Sequence, residues 1–387
     1  MKVVLCVDPV RFPLTGIGRY TYELAMGLQR EQCASFLFMQ GQALHTALPA
    51  FVHATPVSKP GVVAALQQRL AAVAKASTSL SLLYAAVEPA LKGRALSRHR
   101  DYVYHGPNFY LPRFAGPSVA TIHDLSVYTW AQTHPEGRVQ YMRKQIAHTL
   151  RQADFLITDT EYTRREVADY FNWPLARIRA VHLASAPEFY PRDASVLVAA
   201  LQSLGLQPGG YVLYTGTVEP RKNLQLLLHA YELLPAALRL RFPLVISGYK
   251  GWRSDDLHLK MDAAQRAGWL KYLGFVEAGV LPLVMAGARL FAYPSLYEGF
   301  GLPVLEAMAS GVPVICSDAS TLPEVTGGAA ALHAPQDVDA LRDLLLRGLE
   351  DDAWCAVQRE AGLHRAAGFS WQHCVQQTMD VYREVAG

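Results

Sequence analysis

Short runs of apolar residues alternate along the chain with longer segments in which apolar residues recur every three or four positions. Runs of the first kind are typical of buried parallel strands, and segments of the second kind of amphipathic helices. Their alternation predicts an α/β protein built from βαβ units. The predicted strands are VVLCV, SFLFM, YVYH, SVATI, FLIT and IRAVHL in the first half, and YVLYTG, PLVISG, LKYLGF, LFAYP and VPVIC in the second. The predicted helices are GRYTYELAMGLQ, HPEGRVQYMRKQIAHTLRQA, EYTRREVADYF, NLQLLLHAYELL and VDALRDLLLRGLE.

The length and one irregular segment predict two domains. At 387 residues the chain is too long for one ordinary core. Residues 186–208 contain Pro and Gly without a strong period, which predicts a linker there. We therefore predict two doubly wound, Rossmann-like domains that face each other across a cleft, one over residues 1–190 and one over residues 205–369. Ligands of such sheets bind beyond the carboxyl ends of the strands.

The composition narrows the class of protein. Hydrophobic residues make up 51% of the chain and charged residues 18%, which is typical of a well-buried globular protein. No apolar stretch approaches the roughly 18 residues of a membrane-spanning helix. The opening MKVVLCVDPV is predicted to be a buried strand rather than a signal peptide. The cysteines lack zinc-site spacing and are predicted to be reduced thiols of a cytoplasmic protein: Cys6, Cys33, Cys316, Cys355 and Cys374.

The charge is unevenly distributed. Residues 1–196 carry more basic than acidic side chains and the remainder the reverse, although the net charge is only +3. Either the first half faces an anionic partner or the surface composition has drifted. Residues 61–100 form a basic segment rich in Ala and Leu, which would lie on an anionic membrane surface or form packed helices with solvated charges. Its basic residues are Arg69, Lys75, Lys92, Arg94, Arg98 and Arg100.

The first candidate site is the glycine pair in PLTGIGRYTYEL. Gly16 and Gly18 lie between the first strand and a predicted helix, where glycine lets backbone amides approach a ligand and the helix N-terminus favours an anion. Arg19 would add positive charge. Because no third glycine completes GxGxxG, a plain tight turn is the competing explanation.

The second candidate is GTVEPRKNL, which follows the first strand of the second domain. Arg221 and Lys222 stand beside Asn223, the predicted N-cap of the next helix. A bidentate guanidinium and an ammonium at a strand-to-helix turn suit a diphosphate. The alternative is an exposed basic turn, and the glycine loops favour the diphosphate.

The third candidate is PSLYEGFGLPVLEAMASGVP, a strand end, a glycine loop and a short helix. Pro303 suits a first helical position and Gly311 a helix stop, so the amides of residues 299–302 would point at an anion. Glu306 would lie near the same ligand, where a carboxylate can accept hydrogen bonds from vicinal hydroxyls. Interaction with the helix dipole is an alternative for Glu306 that leaves Glu298 unexplained.

The fourth candidate is TIHDL, at the end of a first-domain strand. His123 and Asp124 stand where a cleft residue is expected, and histidine can donate to a sugar or phosphate oxygen. A structural histidine is the alternative. His105 and Asn108, in VYHGPNF at the end of the preceding strand, are predicted to add polar groups to the same rim.

Six motifs occur in order over most of the chain: GIGRY, HGPNF, TIHDL, GTVEPRKN, YEGFGLPVLEAMASGVPV and STLPEV. Together they resemble family 4 of the retaining nucleotide-sugar glycosyltransferases, which have the two-domain GT-B fold. Glu298 and Glu306 reproduce that family's Glu-x7-Glu pattern. The C-terminal FSWQHCVQQTMDVYREVAG resembles the family's terminal helix, so residues from about 370 to 387 are expected to pack back on the first domain.

The resemblance also implies roles for individual residues. Glu306 would hold the nucleotide ribose, Glu298 the donor hexose, and Lys222 the phosphate. His123 looks like the family's first-domain histidine beside the anomeric centre. Many members carry a basic residue where this chain has Thr217. Arg221 is therefore expected to be the second cation.

These expectations define three sets of residues. The predicted catalytic residues are His123, Arg221, Lys222 and Glu298. The predicted donor-binding residues are Gly16, Gly18, Gly216, Arg221, Lys222, Lys250, Gly299, Phe300, Gly301, Leu302 and Glu306. The predicted acceptor-side residues are Arg19, His105, Asn108 and Asp124.

The expected activity is a retaining, metal-independent hexosyl transfer. No DxD-like motif stands at a strand end, so Lys222, Arg221 and the loop amides would stabilise the leaving diphosphate without a metal or a further cofactor. GTVEPRKN, SGYKGW and HGPNF resemble bacterial enzymes of O-antigen and related polysaccharide assembly, which implies GDP-mannose or GDP-rhamnose as donor, with a UDP-sugar as competitor. The acceptor is expected to be a saccharide or a polyprenyl-linked saccharide.

Localisation and rival functions follow from the same observations. The protein is expected to be cytoplasmic or peripheral on the inner face of the cytoplasmic membrane, with no nucleic-acid partner. The rivals are a GT-B-like sugar-nucleotide epimerase or hydrolase and a non-catalytic scaffold. A dinucleotide oxidoreductase is disfavoured because neither domain shows GxGxxG with an acidic residue about 20 positions later.

Overall fold

The computed structural model describes residues 1–31, 35–49 and 89–387. The chain divides into two compact units, the first over residues 1–181 with 371–387 and the second over residues 182–370. Two of the sequence-based expectations concern residues outside these ranges, namely the state of Cys33 and most of the basic segment at 61–100. Among the described residues, no helix is both long and apolar enough to cross a membrane.

The first unit is a seven-stranded sheet in the order β3-β2-β1-β4-β5-β6-β7. All neighbouring pairs are parallel except β2 and β3, which form an antiparallel edge. The predicted strands are confirmed, and β3 is an addition. The strands are β1 Lys2–Cys6, β2 Ser35–Gln40, β3 Ala43–His45, β4 Val103–Gly106, β5 Ser118–Ile122, β6 Phe155–Thr158 and β7 Ile178–Ala180.

Amphipathic helices cover the first sheet, and their apolar faces form its core with continuously buried strands such as β5. Because successive side chains of such a strand are all buried, the strand sequence is a run of apolar residues rather than an alternation of apolar and polar ones. The helices are α1 Gly16–Arg30, a segment over 89–95, α2 Ser126–Thr129, α3 Glu136–Gln152 and α4 Glu161–Phe171, with 3₁₀ turns at Ala131–Thr133 and Leu175–Arg177.

The second unit is an all-parallel, six-stranded sheet in the order β10-β9-β8-β11-β12-β13. Its strands are β8 Val212–Thr215, β9 Leu244–Ser247, β10 Leu270–Gly274, β11 Leu290–Tyr293, β12 Val314–Ser317 and β13 Ala331–His333. Its helices are α5 Ala194–Gln202, α6 Leu224–Glu232, α7 Ala236–Arg241, α8 Asp255–Arg266, α9 Leu281–Ala286, α10 Leu302–Ala309, α11 Leu322–Thr326, α12 Val338–Glu350 and α13 Asp352–Ala366, with a 3₁₀ turn at Pro220–Lys222.

The predicted linker at 186–208 is wrong, because this segment belongs to the second unit. It contains α5, whose Leu197 and Leu201 are buried. Leu201 packs so closely on Gly287 that a Cβ at that glycine would lie 2.5 Å from Leu201 Cδ1. Only two turns long and flanked by Pro and Gly, this helix has too few apolar repeats to be recognised in the sequence.

The last helix, α14 (Trp371–Ala386), returns to the first unit, as the resemblance implied. It packs against α1, where a Cβ on Gly27 would lie 2.4 Å from Val375 Cγ2. It also reaches the sheet, because the Tyr382 hydroxyl lies 2.6 Å from His105 Nδ1. The first unit is therefore completed by a helix that follows the whole second unit in the sequence.

Candidate functional site

Two loops at the carboxyl end of the second sheet run unusually close together. Gly216 follows β8, and Gly248 follows β9 with φ +145°. A Cβ on Gly248 would lie 1.9 Å from the Gly216 carbonyl oxygen, so only glycine permits this approach. The predicted loop position of Gly216 is confirmed.

Arg221 and Lys222 end the 3₁₀ turn that follows these loops. Asn223 occupies the N-cap position of α6 with φ +55°, but the predicted side-chain cap is absent. Its amide nitrogen instead donates to the Pro294 and Pro335 carbonyls, at 3.1 and 2.8 Å. Asn223 therefore ties the loop that carries the two cations to two other loops of the unit.

A buried ion network joins the second and third candidate motifs. Lys222 Nζ lies 2.6 Å from Glu298 Oε1 and 3.0 Å from the Tyr293 hydroxyl. Arg221 Nη1 lies 3.4 Å from Glu298 Oε2 and also donates to the Tyr297 carbonyl. The structure thus brings Glu298 to Arg221 and Lys222, although it lies 77 and 76 residues from them in the sequence.

Glu219 completes the network and was not singled out in the sequence. It is 3% exposed, and its Oε1 accepts a hydrogen bond of 2.8 Å from Arg221 Nη2. The only signal was its place two residues before Arg221 in the same motif. Two carboxylates and two cations therefore share one buried cluster.

Burial and pairing act in opposite directions on this cluster. Burial alone would raise the pKa of Glu298, but Lys222 and Arg221 lower it to about 2. Burial lowers the pKa of Lys222, and the Glu298 carboxylate opposes that shift. Glu298 is therefore an anion throughout the physiological pH range.

The glycine loop leads into α10 as predicted. Gly301 lies at the N-cap with φ +97°, and Pro303 lies in the first turn. Among the described residues, the amides of Phe300, Gly301 and Leu302 donate no hydrogen bond within the protein. Unpaired amides at a helix N-terminus are suited to bind an anion. Glu306 lies in the second turn and is half-buried.

The Phe300 side chain is buried in the second unit. It is 5% exposed and packs against Phe369, at 6.0 Å between ring centroids, and His182, at 6.3 Å. Of this residue only the backbone amide is available. The prediction for Phe300 concerned this amide, so it stays a prediction.

Lys250 lies at the same edge of the sheet but outside the ion cluster. It is exposed and pairs with Asp255, at the start of α8, at 2.6 Å. Next to it, Tyr249 and Phe275 stack at 4.6 Å with an interplanar angle of 13°, and they are 48% and 43% exposed. This exposed stack was missed because each ring follows a different strand.

In the first unit, Gly16 and Gly18 belong to the first turn of α1 rather than to the loop before it. Gly18 is buried, and a Cβ there would lie 3.0 Å from the Pro9 carbonyl oxygen. Arg19 pairs with Glu23 one turn later, at 3.2 Å. The expected helix N-terminus is present, with its glycines shifted into the helix.

His105 does not belong to an open rim, and its predicted acceptor role is wrong. The side chain is fully buried, with Nδ1 2.6 Å from the Tyr382 hydroxyl and Nε2 2.8 Å from Thr121 Oγ1. Burial and nearby His123 lower its pKa to about 3. The strand end suggested exposure, but α14 covers this position.

His123 is 6% exposed, and both ring nitrogens have partners in the protein. Nδ1 lies 2.8 Å from Asp159 Oδ2, and Nε2 lies 2.8 Å from the Pro107 carbonyl oxygen. Burial disfavours the imidazolium, but Asp159 outweighs it and raises the pKa of His123. Both partners accept hydrogen bonds, which suits a ring protonated on both nitrogens.

The remaining acceptor-side residues differ in their surroundings. Asp124 Oδ1 accepts a hydrogen bond of 2.8 Å from the Ser126 amide, so this side chain supports the start of α2. Asn108 is half-buried and lines a cavity of about 470 Å³ at the carboxyl end of the first sheet. The polar and aromatic residues around this cavity also include Asp8, Arg11, Lys92, Tyr110, Tyr141 and Gln145.

Two family models match the chain, one in each half. The model described as "Glycosyltransferase Family 4" matches residues 14–184, and "Glycosyl transferases group 1" matches residues 202–365. "O-antigen chain mannosyltransferase B" of Escherichia coli is 40% identical over 99% of this chain and 100% of that protein. "Serotype-specific mannosyltransferase WbdA" of Escherichia coli is 33% identical over 66% of this chain but only 32% of its own length.

Solved structures share the fold at low sequence identity. WaaG, described as a glycosyltransferase involved in lipopolysaccharide biosynthesis, superposes with a TM-score of 0.69 at 17% identity, covering 98% of this chain and 99% of WaaG. Anabaena Alr3699/HepE in complex with UDP and glucose also gives 0.69, at 16% identity over 99% of this chain and 100% of that one. Two Rossmann-like domains of the GT-B type are thus confirmed.

Proposed function

The chain belongs to family 4 of the glycosyltransferases, and on this premise we propose that it transfers mannose from a nucleoside diphosphate sugar to a saccharide acceptor in O-antigen polysaccharide synthesis. Its similarity to O-antigen chain mannosyltransferase B over nearly the whole chain supports mannose. Rhamnose is the alternative sugar. The single observation that carries the proposal is the Arg221–Lys222–Glu298 cluster in the same unit as the free amides before α10.

In this proposal the diphosphate binds to Lys222, Arg221 and the α10 N-terminus. Charge-assisted hydrogen bonds from ammonium and guanidinium groups are the strong ones for phosphate, and preorganised amides add to them. The diphosphate gains negative charge as its bond to the sugar breaks. Donors that are already held in position stabilise this charge without having to reorganise. The amide donors are those of Phe300, Gly301 and Leu302.

The nucleoside and the hexose occupy the two sides of this diphosphate. Glu306 accepts hydrogen bonds from the ribose hydroxyls, and Glu298 from the hexose. The exposed stack of Tyr249 and Phe275 offers a flat apolar face to the base, and a purine would cover more of it than a pyrimidine would. This supports GDP over UDP as the nucleotide of the donor.

The proposed reaction retains the anomeric configuration. The bond between the anomeric carbon and the diphosphate oxygen breaks, and the acceptor hydroxyl attacks the same face. The acceptor proton passes to the departing phosphate oxygen. Lys222, Arg221 and the loop amides stabilise the diphosphate, so the step requires neither a metal nor a covalent intermediate on Glu298.

His123 acts in this proposal as a positioning residue. Its Nε2 holds the Pro107 carbonyl, next to Asn108, which lines the first-unit cavity. An imidazolium fixed by Asp159 would orient this loop toward the acceptor. The cavity, with its tyrosines and amide side chains, would bind the acceptor saccharide. We propose a polyprenyl-linked saccharide as this acceptor. We also propose that the protein is cytoplasmic and acts at the inner face of the membrane.

A donor panel tests the proposal. We expect GDP-mannose to raise the melting temperature more than GDP-rhamnose, UDP-glucose or UDP-N-acetylglucosamine, because stabilisation follows affinity. Stabilisation by UDP-sugars alone would overturn the choice of donor. Turnover of the donor without any acceptor would favour an epimerase or hydrolase.

Two matched variants, assayed for mannosyl transfer, test the role of Lys222. Lys222→Met removes the proposed phosphate contact, and we expect transfer to fall by roughly 10²- to 10³-fold, as for the loss of one oxyanion donor. Lys260→Met removes an exposed lysine on α8 of the same unit and should leave transfer unchanged. Equal activity of the two variants would contradict the role of Lys222.

A further inference from the structure

The Glu298 carboxylate already occupies the two cations that the proposed function assigns to the diphosphate. One oxygen lies 2.6 Å from Lys222 Nζ and the other 3.4 Å from Arg221 Nη1. Glu298 is 7% exposed, and the side chains of Lys222 and Arg221 are each 11% exposed. An anion that approaches these cations therefore meets a carboxylate already bound to both.

We propose that the Glu298 carboxylate, held against Lys222 and Arg221, repels the diphosphate that binds to the same two cations, and that this repulsion weakens the binding of the nucleoside diphosphate product. The inference rests on the proposed function and goes beyond it. There, Glu298 contacts the hexose; here, the same carboxylate also limits how tightly the diphosphate is held after transfer.

The cations cannot readily turn from one anion to the other. Lys222 Nζ has three hydrogens, and one is directed to the Tyr293 hydroxyl at 3.0 Å. Tyr293 is 1% exposed and stacks on Tyr214 at 5.7 Å between ring centroids. Arg221 is anchored by the Tyr297 carbonyl and by Glu219. Both cations are thus fixed, and the diphosphate must bind beside Glu298.

Two anions at fixed cations repel each other more strongly in a buried cluster than in water. At an effective dielectric constant of about 20, the repulsion between two like charges is several times stronger than at the value of about 80 for water. Loss of the Glu298 charge should therefore tighten diphosphate binding by about tenfold. Glu219 contacts Arg221 but not Lys222 in the hydrogen bonds of this cluster, so Glu298 is the carboxylate shared by both cations.

The test compares Glu298→Gln with the wild-type protein in calorimetric titrations with GDP, UDP and inorganic pyrophosphate. The amide keeps an oxygen that can accept from Lys222 but removes the charge. We expect the Kd of pyrophosphate to fall by about tenfold, and that of GDP in the same direction. Glu298→Asp keeps the charge and should bind pyrophosphate no more tightly than the wild type. Binding is the readout because loss of the hexose contact lowers transfer in any case.

Two controls separate this effect from a general change in charge. Glu324→Gln makes the same change in the same unit, at a carboxylate 2.8 Å from His182, and should leave the Kd unchanged. Glu306→Gln removes the other glutamate of the motif and should not tighten pyrophosphate binding. Tightening in all three glutamine variants would overturn the specific role of Glu298.

A second comparison, whose double variant keeps equal numbers of cations and carboxylates in the cluster, serves if Glu298→Gln alone does not fold. Arg221→Gln and the double variant Arg221→Gln/Glu298→Gln differ in the same carboxylate, in a cluster with one cation fewer. The double variant should bind pyrophosphate more tightly than the single variant. Equal or weaker binding in the available comparison overturns the inference while leaving the proposed function intact. A wild-type protein that binds neither GDP, UDP nor pyrophosphate overturns both.

Discussion

His105 stands near the end of β4, and each ring nitrogen shares a hydrogen bond with a neutral hydroxyl group, Tyr382 on one side and Thr121 on the other. Neither partner carries a charge that would stabilise an imidazolium. Burial and His123 therefore keep the ring neutral, with a pKa of about 3. The energetic consequence appears when the unfolded chain can take up a proton that the folded chain cannot.

We expect this histidine to make the protein less stable in mild acid. Unfolded His105 binds a proton below its ordinary pKa of 6.5, whereas the folded residue does so only near 3. The contribution of the neutral His105 ring to the unfolding free energy is therefore complete above pH 6.5 and declines as the pH falls from 6.5 toward 3. Between about pH 7.5 and about pH 5.5 the wild type should lose about 1.4 kcal/mol more unfolding free energy than His105→Gln. Urea denaturation at the two pH values measures this, and an equal loss in both proteins would contradict it.

For single residues, the sequence predicted which side chains belong to the candidate site better than it predicted the partners that surround them. Lys222, Arg221 and Glu298 were predicted from motifs, because cations at a strand-to-helix turn and a carboxylate beside a glycine loop are local patterns. The ion cluster that joins them was not predictable, since the partners are more than 70 residues apart. His105 was misassigned for the same reason, because Tyr382 lies 277 residues away along the chain.

Among the elements, α10 depends on the backbone conformation of one residue before it. Gly301 has φ +97°, a conformation that side-chain-bearing residues rarely adopt, and a Cβ there would lie 2.7 Å from Leu322 Cδ2. This geometry sets the direction of the amides that open the helix. A change at Gly301 therefore acts on both the stability of the unit and its proposed phosphate contacts.

Gly301→Ala should cost about 1–3 kcal/mol of unfolding free energy, the usual cost of a strained backbone conformation, and weaken nucleotide binding. Gly137→Ala is the matched control, because Gly137 lies in the first turn of α3 with no atom within 4 Å of its added Cβ. There the same substitution should be neutral or stabilising by up to about 1 kcal/mol. Denaturation of both variants and titration with GDP measure the difference. A neutral Gly301→Ala would show that the loop relaxes freely.

Element boundaries were predictable where periodicity was long. EYTRREVADYF and VDALRDLLLRGLE match α4 and α12, because several turns of amphipathic pattern and a side-chain N-cap define each. The short strand β3 and the short helix α5 were missed. Both are stabilised by contacts with neighbouring elements, an antiparallel edge for β3 and the Gly287 surface for α5. Local sequence carries little of that information.

For the whole molecule, the important feature is that the first unit is built from two segments, residues 1–181 and 371–387, which flank the second unit in the sequence. Its sheet is covered in part by α14, where Met379, Val381 and Tyr382 are fully buried. The second unit, residues 182–370, is continuous in sequence. The two units should therefore respond differently to a defect at the C-terminus.

Tyr382→Ala should destabilise the first unit by about 3–5 kcal/mol, as for other large-to-small changes of buried aromatic residues. Arg383→Ala, at the neighbouring exposed position of the same helix, should change stability by no more than about 0.5 kcal/mol. GDP stabilisation of the second unit should persist in both variants. Thermal unfolding with and without GDP measures these effects, and equal melting temperatures for the two variants would refute the assigned role of α14.

The return of α14 to the first unit also has a consequence for synthesis on the ribosome. Strands β1 to β7 leave the ribosome before any of the second unit, but the helix that covers Gly27 and His105 is translated after the whole of the second unit. The nascent first unit therefore keeps an apolar surface uncovered while the second unit is made. The second unit can fold meanwhile, because its segment is continuous. A stop codon placed just before α14 would leave the first unit, which is made first, without the helix that completes it.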